Sequence, residues 1–188
     1  YPQYTFTAQF LVSRLERHLR LGTEREIYAE NESIFVDFED DPLDLPKHTI
    51  YIVYRALSNY YVGKYEEAAK LLNGLLNEIS LKKLPLAMIE VKGMQCLLYS
   101  LLGEFELFNQ MSNSIQRQIR VVGDQECKNV VIFLKMLKIA TSESKKDKSK
   151  KIASLISKFK TIKVDYFAPT TLIKMDEKFV SALTEIEV

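Results

Sequence analysis

Three glycines limit what this chain can fold into. Gly22, Gly63 and Gly103 stand 41 and 40 residues apart, each following an apolar run of helical period. A glycine after a helix marks a reversal, because it readily takes the left-handed backbone that ends a helix. A further step of about 40 residues reaches Glu143, inside a polar stretch. Turns at a fixed interval of this length imply repeated helix hairpins. One hairpin cannot bury its apolar face alone, so neighbouring hairpins must supply the missing core. Only 6 Gly and 5 Pro occur in 188 residues, too few for a turn-rich β fold.

The apolar spacing predicts helices almost throughout. Leu11, Leu15 and Leu19 mark a helix over about 7–21. Thr23 and Glu26 then read as a capping box opening a helix with Ile27, Ile34 and Phe38 on one face. The acidic stretch Asp37–Asp44, with Pro42, reads as a loop. A helix from about Pro46 to Gly63 is followed by one opening at Tyr65 with Ala68, Leu72 and Leu75 on its stripe. Pro85 starts the next, Phe105–Val122 follows, and Asp124 is the expected N-cap of a helix through Ala140. Ser142–Lys151 is expected to be a connection. Ile152, Leu155, Ile156 and Phe159 define an eighth helix, and a ninth is expected over 170–185.

The turn at Gly63 is specific. Gly63-Lys64-Tyr65-Glu66-Glu67-Ala68, with the small Ala56 seven residues before it, resembles the turn and second-helix start of the tetratricopeptide repeat family. Gly103-Glu104-Phe105-Glu106, with Cys96 at the small position, repeats the pattern more loosely, and Phe108 stands where the family has Ala. The interval exceeds the ~34 residues of the ordinary repeat, so the likeness is to a variant with longer helices. The resemblance implies an all-α, right-handed stack of antiparallel hairpins with about nine helices. It implies one repeat domain over 1–188, with units at about 5–40, 45–80, 85–122 and 124–163 and a C-terminal helix at 170–185. The chain begins with Tyr1, and a longer parent protein is expected.

Such a stack implies a protein–protein interaction module whose first helices line a concave groove. By motif position the groove residues are Val53, Tyr54, Leu57 and Tyr61, with Met94 and Leu97 from the next unit. Tyrosine suits such a surface because it combines a large apolar face with one hydroxyl. Val53 and Leu57 replace the Lys and Asn that a peptide-carboxylate clamp needs. The alternative is a ligand- or peptide-sensing regulatory domain acting on an output domain outside this chain.

Other classes find little support. His18 and His48 have neither a Cys nor a second His at ligand spacing, so no metal is expected. No phosphate-cradling glycine loop and no nucleophile elbow occurs, so neither a cofactor nor catalysis is expected. The acidic loop lacks the glycine a calcium loop needs at its bend. The Lys-rich run from Lys145 to Lys163 contains no Arg, and the net charge is +1, so nucleic acid is not an expected partner. No apolar stretch approaches the ~20 residues of a membrane span. Cys96 and Cys127 are expected as free thiols, which with the missing signal segment suggests the cytoplasm. Exposed end hairpins leave a homodimer open.

Overall fold

The computed structural model describes residues 2–35, 41–78, 81–142 and 147–187. Among these it contains nine α-helices, two short 3-10 turns and no strand. The helices are α1 (Pro2–Leu21), α2 (Glu26–Phe35), α3 (Leu45–Tyr61), α4 (Tyr65–Glu78), α5 (Pro85–Leu101), α6 (Phe105–Val122), α7 (Lys128–Ala140), α8 (Lys148–Phe159) and α9 (Glu177–Thr184). The 3-10 turns are η1 (Leu81–Lys83) and η2 (Pro169–Leu172). The chain divides into two compact units, Tyr1–Lys83 and Leu84–Val188.

In the first unit α3 packs against α1, α2 and α4. Asp44 caps α3 by accepting from the Lys47 backbone N–H, and Pro46 occupies its first turn, where no intrahelical donor is lost. Leu11, Leu15, Ile27, Ala56, Ala68 and Leu72 are buried. Arg14 on α1 pairs with Glu30 on α2, and its guanidinium lies close enough to the Tyr54 hydroxyl of α3 to act on it electrostatically. Asn31 donates to Ser58 Oγ at 2.6 Å, a second tie from α2 to α3. The expected capping box does not form. Glu26 is the first residue of α2 rather than its third, and Thr23 Oγ1 pairs with His18 Nδ1 at 2.9 Å. His18 also approaches Glu30 through Nε2 at 3.3 Å, so this histidine fastens the α1–α2 turn.

In the second unit α5 is buried over most of Ile89–Ser100, as a central helix must be. It packs on α6, α7 and η2, while α7 packs on α8, α9 and η2. Gly93 allows the close approach: a Cβ there would meet Thr170 Cγ2 at 3.2 Å and Val130 Cγ1 at 3.5 Å. Two boundaries differ from the sequence reading. Helix α7 starts at Lys128, not after Asp124, because residues 124–127 form turns and bury Cys127. The helix expected over 170–185 is interrupted: η2 ends at Leu172, and α9 begins only after Asp176, which caps it by accepting from Phe179 N at 3.1 Å. The connection expected over 142–151 is also shorter. Lys148 is buried and donates to Ala140 O at 2.8 Å, so α8 begins there. The fourth turn expected near Glu143 lies outside the described residues.

Gly22, Gly63 and Gly103 all have positive φ, as helix-ending glycines should. At Gly63 φ is 82° and no atom lies within 4 Å of an added Cβ. The cost of Gly63→Val is then purely one of backbone conformation, about 1–2 kcal/mol. Gly74, inside α4 and equally unobstructed, is the internal contrast. Gly74→Ala should stabilise by about 0.5–1 kcal/mol through helix propensity. Urea denaturation should therefore show opposite shifts for the two variants, and an unchanged midpoint for Gly63→Val would contradict the turn geometry.

Candidate functional site

The residues expected to line a groove are mostly covered. Val53 and Leu57 are 0 % exposed, Met94 and Leu97 1 %, and Tyr54 2 %. They present no area to a partner in this conformation. Burial raises the pKa of the Tyr54 hydroxyl, opposed by the Arg14 guanidinium. Tyr61 is half-buried, its ring edge-on to Tyr60 at 5.1 Å, and Tyr60 lies 5.7 Å from Tyr65. The aromatic cluster thus packs the α3–α4 turn. In the acidic loop, Asp41 accepts from Leu43 N at 2.9 Å and Asp44 caps α3, so both carboxylates serve the local backbone. Asp37, Glu39 and Asp40 lie outside the described residues. Among the described residues no three His, Cys, Asp or Glu side chains gather as metal ligands, and no helix is long and apolar enough to cross a membrane.

A groove does exist within the second unit, between α8 and α9, with a volume of about 730 Å³. Ser149, Ala153, Ile156 and Lys160 line its α8 wall. Their spacing of four, three and four residues places them on one helical stripe. Glu177, Val180, Ser181, Thr184 and Glu185 line the α9 wall, and Met175 and Asp176 contribute at one end. The floor is apolar and the rims are charged. Lys160 makes no ion pair with the acids of the opposite wall among the described residues, and Ser181 Oγ donates to Glu185 Oε1 at 2.8 Å.

The 3-10 turn η2, which precedes α9, is held by a buried polar cluster centred on Glu90 of α5. Glu90 is 0 % exposed and has no cationic partner among the described residues. Its Oε2 accepts from Thr170 N at 3.0 Å and Thr170 Oγ1 at 2.7 Å. Its Oε1 accepts from Asn129 Nδ2 on α7 and from Tyr166 OH at 3.3 Å. Tyr166 OH also lies 3.1 Å from Asn129 Oδ1. Burial raises the Glu90 pKa, and the donated hydrogen bonds from Thr170, Asn129 and Tyr166 oppose it. Tyr166 is pushed up by burial and by the neighbouring Glu90. The carboxyl therefore ties η2 to α5 and α7, and η2 is followed, after Ile173 and Lys174, by Met175, Asp176 and α9.

Burial pushes the Cys96 thiol up to about 12 and the Cys127 thiol to about 11, so both stay protonated at neutral pH. Both are free and buried, the state of structural rather than reactive cysteines.

Sequence reasoning missed both features. Glu90 carried a signal, since it is the lone acid in the apolar run Leu84–Val91. The groove carried a weaker one: the small residues Ser149 and Ala153 stand beside the apolar stripe of α8, leaving room at its edge. No family model matches the chain, and no curated protein and no solved structure matches it.

Proposed function

We propose that this chain is a non-catalytic interaction module of the tetratricopeptide kind, which seats a segment of a partner protein in the α8–α9 groove. The observation that carries this reading is the groove itself: an apolar floor between two helices, with charges on both rims uncommitted to each other. A groove walled by two helices is a usual seat for an amphipathic segment. Contacts at the repeat interval support the architecture. Arg14 meets Tyr54, forty residues on, and Asn129 meets Glu90 at a separation of 39. The non-catalytic part is supported by the same burial: Glu90, Cys96 and Cys127 have no exposed surface, so no substrate reaches them.

The test is to fill the groove. Ala153 and Ser181 are exposed on opposite walls. The double variant Ala153→Trp/Ser181→Trp should keep the helical circular dichroism of the wild type and lose the proteins that the wild-type chain retains from its source lysate. Retention of the same proteins by the folded variant would place their binding elsewhere. A variant that gained or lost only a small-molecule ligand would favour a sensory domain.

A further inference from the structure

We infer that the partner segment is an amphipathic helix carrying acidic residues along one flank and basic residues along the other. This rests on the α8–α9 groove being the docking site, and specifies what fits there. The two walls carry opposite charge. Lys160 lies on the α8 wall, and Lys150 flanks the same stripe on the solvent side. Glu177 and Glu185 lie on the α9 wall.

The surrounding charge is equally uneven. Residues 128–163 contain eleven lysines against two acids, Glu143 and Asp147, on a chain of net charge +1. Lys128, Lys135, Lys150, Lys151, Lys158 and Lys160 are exposed and form no ion pair among the described residues. The last 24 residues reverse the sign: Asp165, Asp176, Glu177, Glu185 and Glu187 outnumber Lys174 and Lys178. The groove runs along this boundary. A segment with matching flanks pairs with both walls while its apolar stripe covers Ala153 and Val180, above the buried Ile156 and Met175. A segment with one sign of charge meets repulsion from one wall.

Two other occupants of a lysine-rich hairpin fit less well. A membrane-surface helix needs a free apolar face, but Ile152, Ile156 and Phe159 are buried. Single-stranded nucleic acid needs exposed aromatic rings for stacking, and Phe133 and Phe159, the only aromatic residues of α7 and α8, are buried.

Three synthetic helical peptides with the same leucine stripe test the inference: Glu on both flanks, Lys on both flanks, and Glu on one with Lys on the other. Affinities are read by fluorescence anisotropy of the labelled peptides on the whole chain. The mixed peptide should bind at least about tenfold tighter than either uniform one. Lys150→Glu/Lys160→Glu should shift the preference to the all-Lys peptide, and Glu177→Lys/Glu185→Lys to the all-Glu peptide. Lys151 and Lys158 fall on the far side of α8 from the groove stripe, so Lys151→Glu/Lys158→Glu is a control of equal charge change that should leave the preference intact. Circular dichroism confirms that each variant is folded.

Equal binding of the three peptides, abolished by Ala153→Trp/Ser181→Trp, would overturn the charge pattern and leave the groove standing. Tightest binding by the all-Glu peptide, weakened equally by both lysine reversals, would mean a diffuse polyanion surface and overturn the inference. Binding that survives the tryptophan pair, or no binding by any peptide at millimolar concentration, would overturn the groove as well.

Discussion

Glu90→Ala is expected to lower the unfolding free energy by about 3 kcal/mol, and to weaken docking at a groove about which Glu90 itself touches nothing. The substitution removes the acceptor for Thr170 N, Thr170 Oγ1, Asn129 Nδ2 and Tyr166 OH at one stroke. A buried donor left without a partner costs about 1–3 kcal/mol. Tyr166 can still turn to Glu126 O or Asn129 Oδ1, and removing a buried carboxyl relieves its desolvation, so the costs do not simply add. Glu90→Gln keeps the shape and should cost less. It should also change the pH response. The folded chain holds the Glu90 proton more tightly than the unfolded chain, because burial raises the folded pKa. The corresponding stabilisation is complete below the ordinary carboxylate value of about 4.3 and is lost as pH rises through the raised folded value. The Cys127 thiol and the Tyr166 phenol beside Glu90 stay neutral over this range, so they do not mask it. Urea denaturation from about pH 4 to about pH 8 should show the stability of the wild type relative to Glu90→Gln falling with pH. A flat difference would mean that Glu90 titrates as an ordinary surface acid.

Phe133→Ala should cost about 3–5 kcal/mol, the range for emptying a large aromatic site. Phe133 is 0 % exposed on α7, and its ring centroid lies 6.2 Å from that of Phe159 on α8. Truncation removes a ring contact between α7 and the last residue of α8, and leaves a cavity between the two helices. Phe133→Leu retains most of the volume and should cost about 1.5 kcal/mol or less. The urea slope should stay constant while the midpoint moves, since the surface exposed on unfolding is nearly the same. A loss below about 1 kcal/mol for the alanine variant would show that α7 and α8 are not packed around this ring.

Much of the helix pattern was legible because its causes are local. The helices α3, α4, α5 and α6 lie within two residues of their expected limits. Each is bounded by a glycine or proline whose backbone preference acts on its immediate neighbours. The errors came where a local signal competes with a distant contact. Asp124 is a sound N-cap in sequence, but the chain continues in turns until Cys127 is buried, and only then does α7 begin. Thr23 and Glu26 have the spacing of a capping box, yet the Thr23 hydroxyl goes to His18. A single helix is expected over 170–185, whereas Thr170 is held by Glu90 in a 3-10 turn and α9 begins only at Glu177.

The candidate site was less legible for the same reason. Helical spacing shows that Tyr54, Leu57, Met94 and Leu97 share the character of interior and groove alike, and both surfaces are apolar. Which of the two a residue occupies depends on what covers it. The sequence by itself determined that this chain is helical and where most helices start and stop, because those properties arise from backbone preferences within a turn or two. Only the tertiary structure decided which apolar stripes are covered, that Glu90 is shared by segments 39 and 80 residues away, and that α8 and α9 leave a charged-rimmed groove between them. Those outcomes depend on volume and hydrogen bonds supplied by elements far apart in the chain, which no local pattern encodes.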